Sequence, residues 1–567
     1  MSDLQQDVAN NPISLASVSS LTSNLRTYAR SQLPEAMVPS RFIILDKLPK
    51  LPNGKVDRQR LPVVDIDDSD NENYVPPSNP DEIKIARIWQ DILGINRVGI
   101  EDSFFDLGGD SITVVQMAAK VREEYNIELS LRRLFKNPTI TALVQMISAE
   151  GIVVTGSGLI NLNDEELIKE AQLPDDIYPD NDAIAPVTKN YKTILLTGGT
   201  GYTGAFLLRE LLDRSDAYIY VLARAKDPVD AVNRVIENLK YYALLTDKDE
   251  SRLRGVAGDI GRPYFALTKE AYEEIATEVE MVVHNAALSS YAMPYKQLKP
   301  INVLGTHEVL RLACRKRIKP IHYISSLSVF PGHKGAQYFS ETKLTEPDGL
   351  VGGYRQTKWV SDRLVSLIRN RGVPTCIYRP GQITGAQDTG ACSTDTYLNS
   401  AIKSCIQLGA ELDFDVMLEI TPVDFCAKAV AHIALSGDKL NNQYHMVGNR
   451  TVSWSEVCEM IRGHGYKLRN ISYPDWYKEL STALKNGKEN ALSKFFPLFG
   501  EQSASADAGD EGSHPEFETK NLVNALEGSG IECRELDQDF LSLYIDYFIS
   551  IGFIPSPEQQ IENGVKL

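Results

Sequence analysis

The sequence predicts a multidomain chain in which a small all-helical bundle precedes a large α/β domain built on a parallel sheet. Three observations predict it. At 567 residues the chain is too long for one ordinary domain. Residues 81–150 space their apolar side chains at helical intervals. Residues 191–555 alternate short β-branched runs with longer amphipathic stretches, the pattern of repeated βαβ units.

Composition narrows the function classes. The chain is 43% hydrophobic and 24% charged, with a net charge of −17. That balance is globular, and no basic face suggests nucleic acid as a partner. No apolar run approaches the roughly 20 residues that span a bilayer, and the start, MSDLQQDVANNP, does not read as a secretory signal. Seven scattered cysteines without a CxxC pair predict reduced thiols, a cytoplasmic setting and no metal site.

The predicted divisions are residues 1–62, an acidic Pro- and Asn-rich linker at 63–80, a bundle at 81–150 and the α/β domain at 163–567. The segment 500–516, GEQSASADAGDEGSHPE, is poor in apolar residues and predicts a loop. Within 1–62, Asn53-Gly54 marks a hairpin turn and Lys55 follows it. The string around them, LPNGKVDRQRLP, resembles the end of the small α+β subdomain of adenylate-forming enzymes of the peptide synthetase type. That resemblance implies contact of Lys55 with an acyl-adenylate. No large adenylating subdomain accompanies it, so the expectation is that this chain alone does not activate an acid with ATP.

In the bundle, Ile83, Ile85, Ile88, Trp89 and Ile92 fall near one helical face, and Val114, Met117 and Val121 repeat at helical spacing. Between them FFDLGGDSI puts Ser111 after two glycines and an aspartate, where a loop becomes a helix. A serine there ordinarily caps the helix. The string and the four-helix pattern resemble acyl and peptidyl carrier domains, which implies 4′-phosphopantetheine on Ser111. An exposed hydroxyl, flanking glycines and a helix N-terminus suit that attachment.

The α/β domain opens with the strand KTILLT and the turn GGTGYTG. Thr197, Gly198, Gly201 and Gly204 give T-G-x-x-G-x-x-G between a strand and a helix, as a Rossmann-type pyrophosphate site requires, with Tyr202 and Thr203 inside the turn. The second strand, AYIYVLAR, ends on Arg224 where an NAD site usually carries an acid; Lys226 and Arg234 follow. These cations suit a 2′-phosphate and favour NADPH. Tyr354 and Lys358 stand four apart on one helix face in GGYRQTKWVSDRLV. A tyrosine titrates near 10, and a neighbouring ammonium lowers it toward acid–base use at neutrality. Ser326, on the preceding strand, completes the set, with Ser325 the adjacent alternative.

These strings, with VAGDI, MVVHNAA, NVLGT, RPGQITG and TPVDF, resemble extended short-chain dehydrogenases. Behind a carrier they resemble the thioester reductase domains of nonribosomal peptide synthetases, aminoadipate reductases and carboxylic acid reductases. The resemblance implies Asp259 near the adenine, Asn285, Ala286 and Ala287 along the cofactor path, and Ser326, Tyr354 and Lys358 as the catalytic set. It implies NADPH-dependent reductive release of a carrier-bound acyl or peptidyl thioester as an aldehyde or alcohol. The implied partners are a phosphopantetheinyl transferase and upstream adenylation or synthase modules, with no membrane partner. Asp424 reads as structural. The alternatives are a fatty-acyl or polyketide thioester reductase, a nucleotide-sugar enzyme of the same fold, and a docking protein with an idle reductase.

Overall fold

The computed structural model describes residues 74–104, 138–149, 162–247, 249–290, 293–330, 337–412, 416–448, 450–485, 490–493 and 515–562, with isolated positions between 107 and 125. Lys55, Ser111, Val114 and most of the 63–80 and 500–516 segments lie outside the described residues. The chain divides into two units, residues 1–158 and 159–567.

In the first unit a helix spans Pro80–Leu93. It starts one residue inside the predicted linker, because proline is favoured at the first helical position. Asn79 and Glu82 form a reciprocal capping box, and Gly94 ends the helix in the left-handed conformation. Ile85, Ala86 and Trp89 form its buried stripe, whereas Ile83 is 39% exposed. Two residues of helix are about 200° of rotation, so Ile83 cannot share the Ile85 face. Trp89 meets Phe104 edge to face at 4.8 Å, worth about 1 kcal/mol beyond area burial. Met117, Val121, Ile140 and Leu143 close the core.

In the second unit seven parallel strands form one sheet. In chain order they are β1 (Thr193–Thr197), β2 (Tyr218–Ala223), β3 (Leu253–Ala257), β4 (Met281–His284), β5 (Ile321–Ile324), β6 (Thr375–Pro380) and β7 (Gln443–Met446). Their spatial order is β7-β6-β5-β4-β1-β2-β3. Alternation along β1 explains the two layers. Ile194 and Leu196 face a cluster with α1 (Tyr202–Arg214), α2 (Pro228–Tyr241) and a helix over Val423–Ser436. Leu195 faces the opposite cluster, fed by helices over Lys269–Glu278 and Gly305–Cys314. The strand order reverses between β1 and β4, which opens a crevice at the carboxyl ends of those strands.

A smaller C-terminal region packs its own core from Leu398, Ile402, Trp454, Phe540, Tyr544 and Phe548. It meets the end of the sheet through a short parallel pairing of Gln382–Thr384 with Ile420–Pro422. No helix among the described residues is long and apolar enough to cross a membrane.

Candidate active site

The glycine turn is shaped by contacts that leave no room for side chains. Gly198 has φ +75°, and a Cβ on Gly204 would lie 1.9 Å from the Gly198 carbonyl oxygen. The turn can therefore press α1 against β1 only with glycine at both places. Gly201 caps α1 without a side chain, so the first helical N–H groups face outward as anion donors. Asn238 on α2 donates to the carbonyls of Gly199 (3.0 Å) and Gly201 (2.9 Å) and fixes the turn from behind. A backbone cradle of this kind fits a dinucleotide pyrophosphate.

The Thr197 hydroxyl is buried and serves the fold, accepting from the N–H groups of Asn285 (3.2 Å) and Ala286 (3.1 Å). Asn285 in turn donates to the Gly198 carbonyl at 3.3 Å, and Ala287 is exposed just beyond. Thr203 is half-buried on the first turn of α1. Tyr202, the first residue of α1, carries the turn's one long side chain to a distant segment. Its hydroxyl donates to the carbonyls of Thr384 (2.7 Å) and Ala391 (3.0 Å), tying α1 to the segment after β6. The ring packs on Phe206 and Tyr242, which explains the orientation.

Arg224, Lys226 and Arg234 are all exposed beyond the end of β2. Arg234 Nη1 bonds the Arg224 carbonyl, so the two guanidinium residues share one corner. Asp259 is half-buried after β3, its carboxylate accepting from Gly261 N–H at 3.0 Å. Its own N–H donates to Phe265 in a turn where Tyr264, Phe265 and Ala266 all have positive φ. Such residues cost about 1–2 kcal/mol each, and Glu308 holds the turn through Tyr264 N–H at 2.6 Å.

The catalytic candidates converge on the end of β5. Helix α3 (Gly353–Leu367) lays Lys358 against that strand, with Nζ donating to the Ile324 carbonyl at 2.6 Å and lying 4.4 Å from the Tyr323 ring centroid. Burial pulls the Lys358 ammonium down to about 7, against the opposing pull of the Asp362 carboxylate. Tyr354 stands half-buried one turn earlier. The two serines separate cleanly. Ser325 is buried and donates to Asp362 Oδ2 at 2.6 Å, so its hydroxyl is engaged. Ser326 is half-buried and accepts from Ser328 N–H at 3.1 Å, while its hydroxyl proton has no acceptor among the described residues. Ser326 is therefore the serine able to donate to a substrate oxygen.

Three further groups shape this corner without a sequence signal that named them. Asp362 and Arg379 form a fully buried bidentate pair, both bonds at 2.8 Å. Burial works against the charge of Asp362, but the guanidinium and Ser325 hold its carboxyl below the usual range. Asn302 bonds Leu288 N–H (2.7 Å), Leu288 carbonyl (3.1 Å) and Thr357 hydroxyl (3.0 Å), joining the loop after β4 to α3. It lies in a π-helical turn, Pro300–Leu304, within the NVLGT string, whose spacing alone assigns this residue no role. His284 is buried between Thr197 and Thr306, and burial, with the nearby Lys358 charge, pushes it down to about 3, so it stays neutral. Asp424 accepts from Gln387 N–H at 2.9 Å and pairs with Lys428, in keeping with a structural role.

In the first unit, Gly109 is pressed onto the bundle two residues before Ser111: a Cβ there would lie 2.2 Å from the Phe104 ring. Gly109 itself is thus held tight against the bundle core, with no room for a side chain.

A carrier bundle and an extended short-chain dehydrogenase/reductase fold with a nicotinamide-dinucleotide cradle define the class of this protein. A family model described as a phosphopantetheine attachment site matches residues 84–147, and one described as male sterility protein matches 196–430. The crystal structure of the terminal R domain from the myxalamid PKS-NRPS biosynthetic pathway is 36% identical, with a TM-score of 0.65, over 70% of this chain and 99% of that one. The chain belongs to the reductase (R) domain family of nonribosomal peptide synthetases, with a carrier domain in front. The isonitrile lipopeptide synthase of Streptomyces coeruleorubidus is 30% identical over 94% of this chain and 37% of its own length. The L-2-aminoadipate reductase large subunit of Candida glabrata is 29% identical over 98% of this chain and 43% of its own. The chain thus spans less than half the length of these curated relatives.

Proposed function

We propose that the chain releases an acyl or peptidyl group, carried as a thioester on Ser111, by reduction with NADPH to an aldehyde, with alcohol as the product of a second reduction. The observation that carries this reading is the convergence at the end of β5: Lys358 bonded to the Ile324 carbonyl, Tyr354 one turn before it, and Ser326 with a hydroxyl proton to give. The carrier family match ahead of this set supports a thioester substrate. The paired Arg224 and Arg234 favour the 2′-phosphorylated coenzyme.

When bound, NADPH supplies the hydride and 4′-phosphopantetheine supplies the thioester to be reduced. The turn Gly198–Gly204 and the N–H groups of α1 hold the pyrophosphate; Arg224, Lys226 and Arg234 hold the 2′-phosphate. Ser326 donates a hydrogen bond to the substrate carbonyl oxygen, where negative charge develops. Tyr354 donates its phenolic proton to that same oxygen. Lys358 holds positive charge beside Tyr354 and lowers its proton affinity. Asp362 in turn supports the charged form of Lys358 from one helical turn away.

Intact-protein mass spectrometry tests this. The chain is phosphopantetheinylated, loaded with an acyl group and given NADPH. Loss of the acyl mass only with NADPH, and not in Tyr354→Phe, is the expected result. Retention of the acyl mass by the wild-type protein with NADPH overturns the reading. A phosphopantetheinyl transferase and a loading synthase module follow as partners.

A further inference from the structure

The C-terminal region brings one carboxyl group to the end of the sheet that carries the catalytic candidates. The β5–β6 ladder runs out there: Ile324 is in register with Tyr378, and Ser325 N–H still bonds the Tyr378 carbonyl at 2.6 Å. Ser326 and Gly381 therefore leave the sheet from neighbouring strands, about 4.8 Å apart in the ladder direction. Glu419 is next to Gly381. Gln382 N–H donates to the Glu419 carbonyl at 2.5 Å, and a Cβ on Gly381 would stand 2.9 Å from the Glu419 Cβ. Alternation gives the side chain its direction. Ile420 turns into the C-terminal core, while Thr421 turns back to the sheet, accepting from Gly381 N–H at 3.0 Å and bonding the Met446 carbonyl. Glu419 immediately precedes this strand, Ile420–Pro422, and because its carbonyl already takes part in the ladder, the alternation carried back one step puts it on the face of Thr421. It is only partly exposed, and its carboxylate has no hydrogen-bond or ionic partner among the described residues. Burial alone pushes it up to about 7. An unpartnered carboxyl group at the carboxyl end of a doubly wound sheet lies where such sheets bind ligands.

We propose that Glu419 is the residue that recognises the acyl chain, its carboxyl oxygen accepting an N–H borne on the acyl group close to the thioester carbonyl. The inference rests on the thioester reductase reading and assigns it a specificity residue. The donor is an ammonium or an amide N–H; a plain alkyl chain leaves the carboxyl group unsatisfied and is the poorer substrate.

The test supplies the full chain with NADPH and three pantetheine thioesters of equal length: one with a free amino group, one with an amide N–H at the same position, and one purely alkyl. Glu419→Leu is expected to lower kcat/KM for both nitrogen-bearing thioesters by about ten- to a hundredfold, while the alkyl thioester, no longer facing an unsatisfied carboxyl group, is reduced at least as well as by wild type. Glu419→Gln keeps an acceptor oxygen without charge, so it separates the two donors: a loss confined to the amino thioester assigns an ammonium, and retention of the amide thioester accompanies it. Turnover of the alkyl thioester reports that each variant is folded. Equal effects on all three thioesters, or none on any, overturn the assignment. A wild-type protein that reduces none of the three brings down the reductase reading itself, an outcome distinct from a reductase indifferent to nitrogen.

Discussion

Asp362 shows how a residue can matter to the site without touching a ligand. It accepts from Ser325, pairs with Arg379 and faces Lys358, so a single carboxylate links α3, β5 and β6. Asp362→Asn strands a fully buried guanidinium, and the expected loss is about 3–5 kcal/mol of stability, read by urea denaturation. A loss below about 1 kcal/mol would show that Gln443, 2.5 Å from Arg379 Nη2, and the Glu341 carbonyl suffice. Lysines give a second residue-scale prediction. Burial pulls both Lys358 and Lys319 down to about 7, and among the described residues Lys319 bonds only the carbonyls of Arg315 and Arg317, both at 2.8 Å. An unfolded chain holds those protons up to about 10.4. Between these values the unfolded state binds more protons, so raising the pH stabilises the fold, by about 1.4 kcal/mol per pH unit for each lysine. Lys319→Met should flatten the rise in stability between pH 7 and 8.5 relative to wild type, measured by denaturation at a series of pH values. Parallel curves for the two proteins would refute a depressed Lys319.

Elements decide how much of this was legible beforehand. The glycine turn and the Tyr354–Lys358 pair were readable because each is a local spacing on one element, with a chemical reason for the interval. Asn238, Asn302 and the Asp362–Arg379 pair were not, because their partners come from other elements and only the sheet order brings them together. Tyr202 shows the same limit: its place in the turn was visible, but the bonds of its hydroxyl to Thr384 and Ala391 cross about 180 residues. Likewise Ser326 could be preferred to Ser325 from its place in the string, but the reason Ser325 is engaged, its bond to Asp362, comes from another element. At this scale the turn itself gives a prediction. Gly204→Ala puts a methyl group 1.9 Å from a backbone oxygen, so α1 must move off β1 and the cradle opens. NADPH affinity should fall at least about tenfold by fluorescence titration, the cost of even one distorted charged hydrogen bond. The corner after β2 gives another. Arg224→Gln removes a cation exposed there, and the ratio of kcat/KM for NADPH over NADH should fall about tenfold or more, with NADH turnover itself little changed. An unaltered ratio would mean that Arg224 does not meet the 2′-phosphate.

For the whole molecule, the question is what a carrier in the same polypeptide does for a reductase whose cradle is already complete. The cofactor turn, the Tyr354–Lys358 helix and Ser326 all belong to the second unit, whereas Ser111, the proposed attachment residue, belongs to the first. Chemistry and delivery are therefore separable. Tethering makes the encounter intramolecular, with an effective concentration in the millimolar range for a short flexible arm. A domain fed this way has no need of a tight pocket for the free thioester, and its binding energy can go to the reacting carbonyl instead. Ser111→Ala should then abolish reduction of a group that must be loaded on the carrier. The same variant should reduce a soluble pantetheine thioester with unchanged kcat and a KM in the millimolar range. Both rates can be followed by NADPH absorbance, with wild-type protein given the soluble thioester as reference. If Ser111→Ala impairs the soluble reaction as much as the loaded one, the serine does more than carry, and delivery and chemistry are not independent. If instead the loaded acyl group is still released reductively from the variant, the attachment lies elsewhere in the chain.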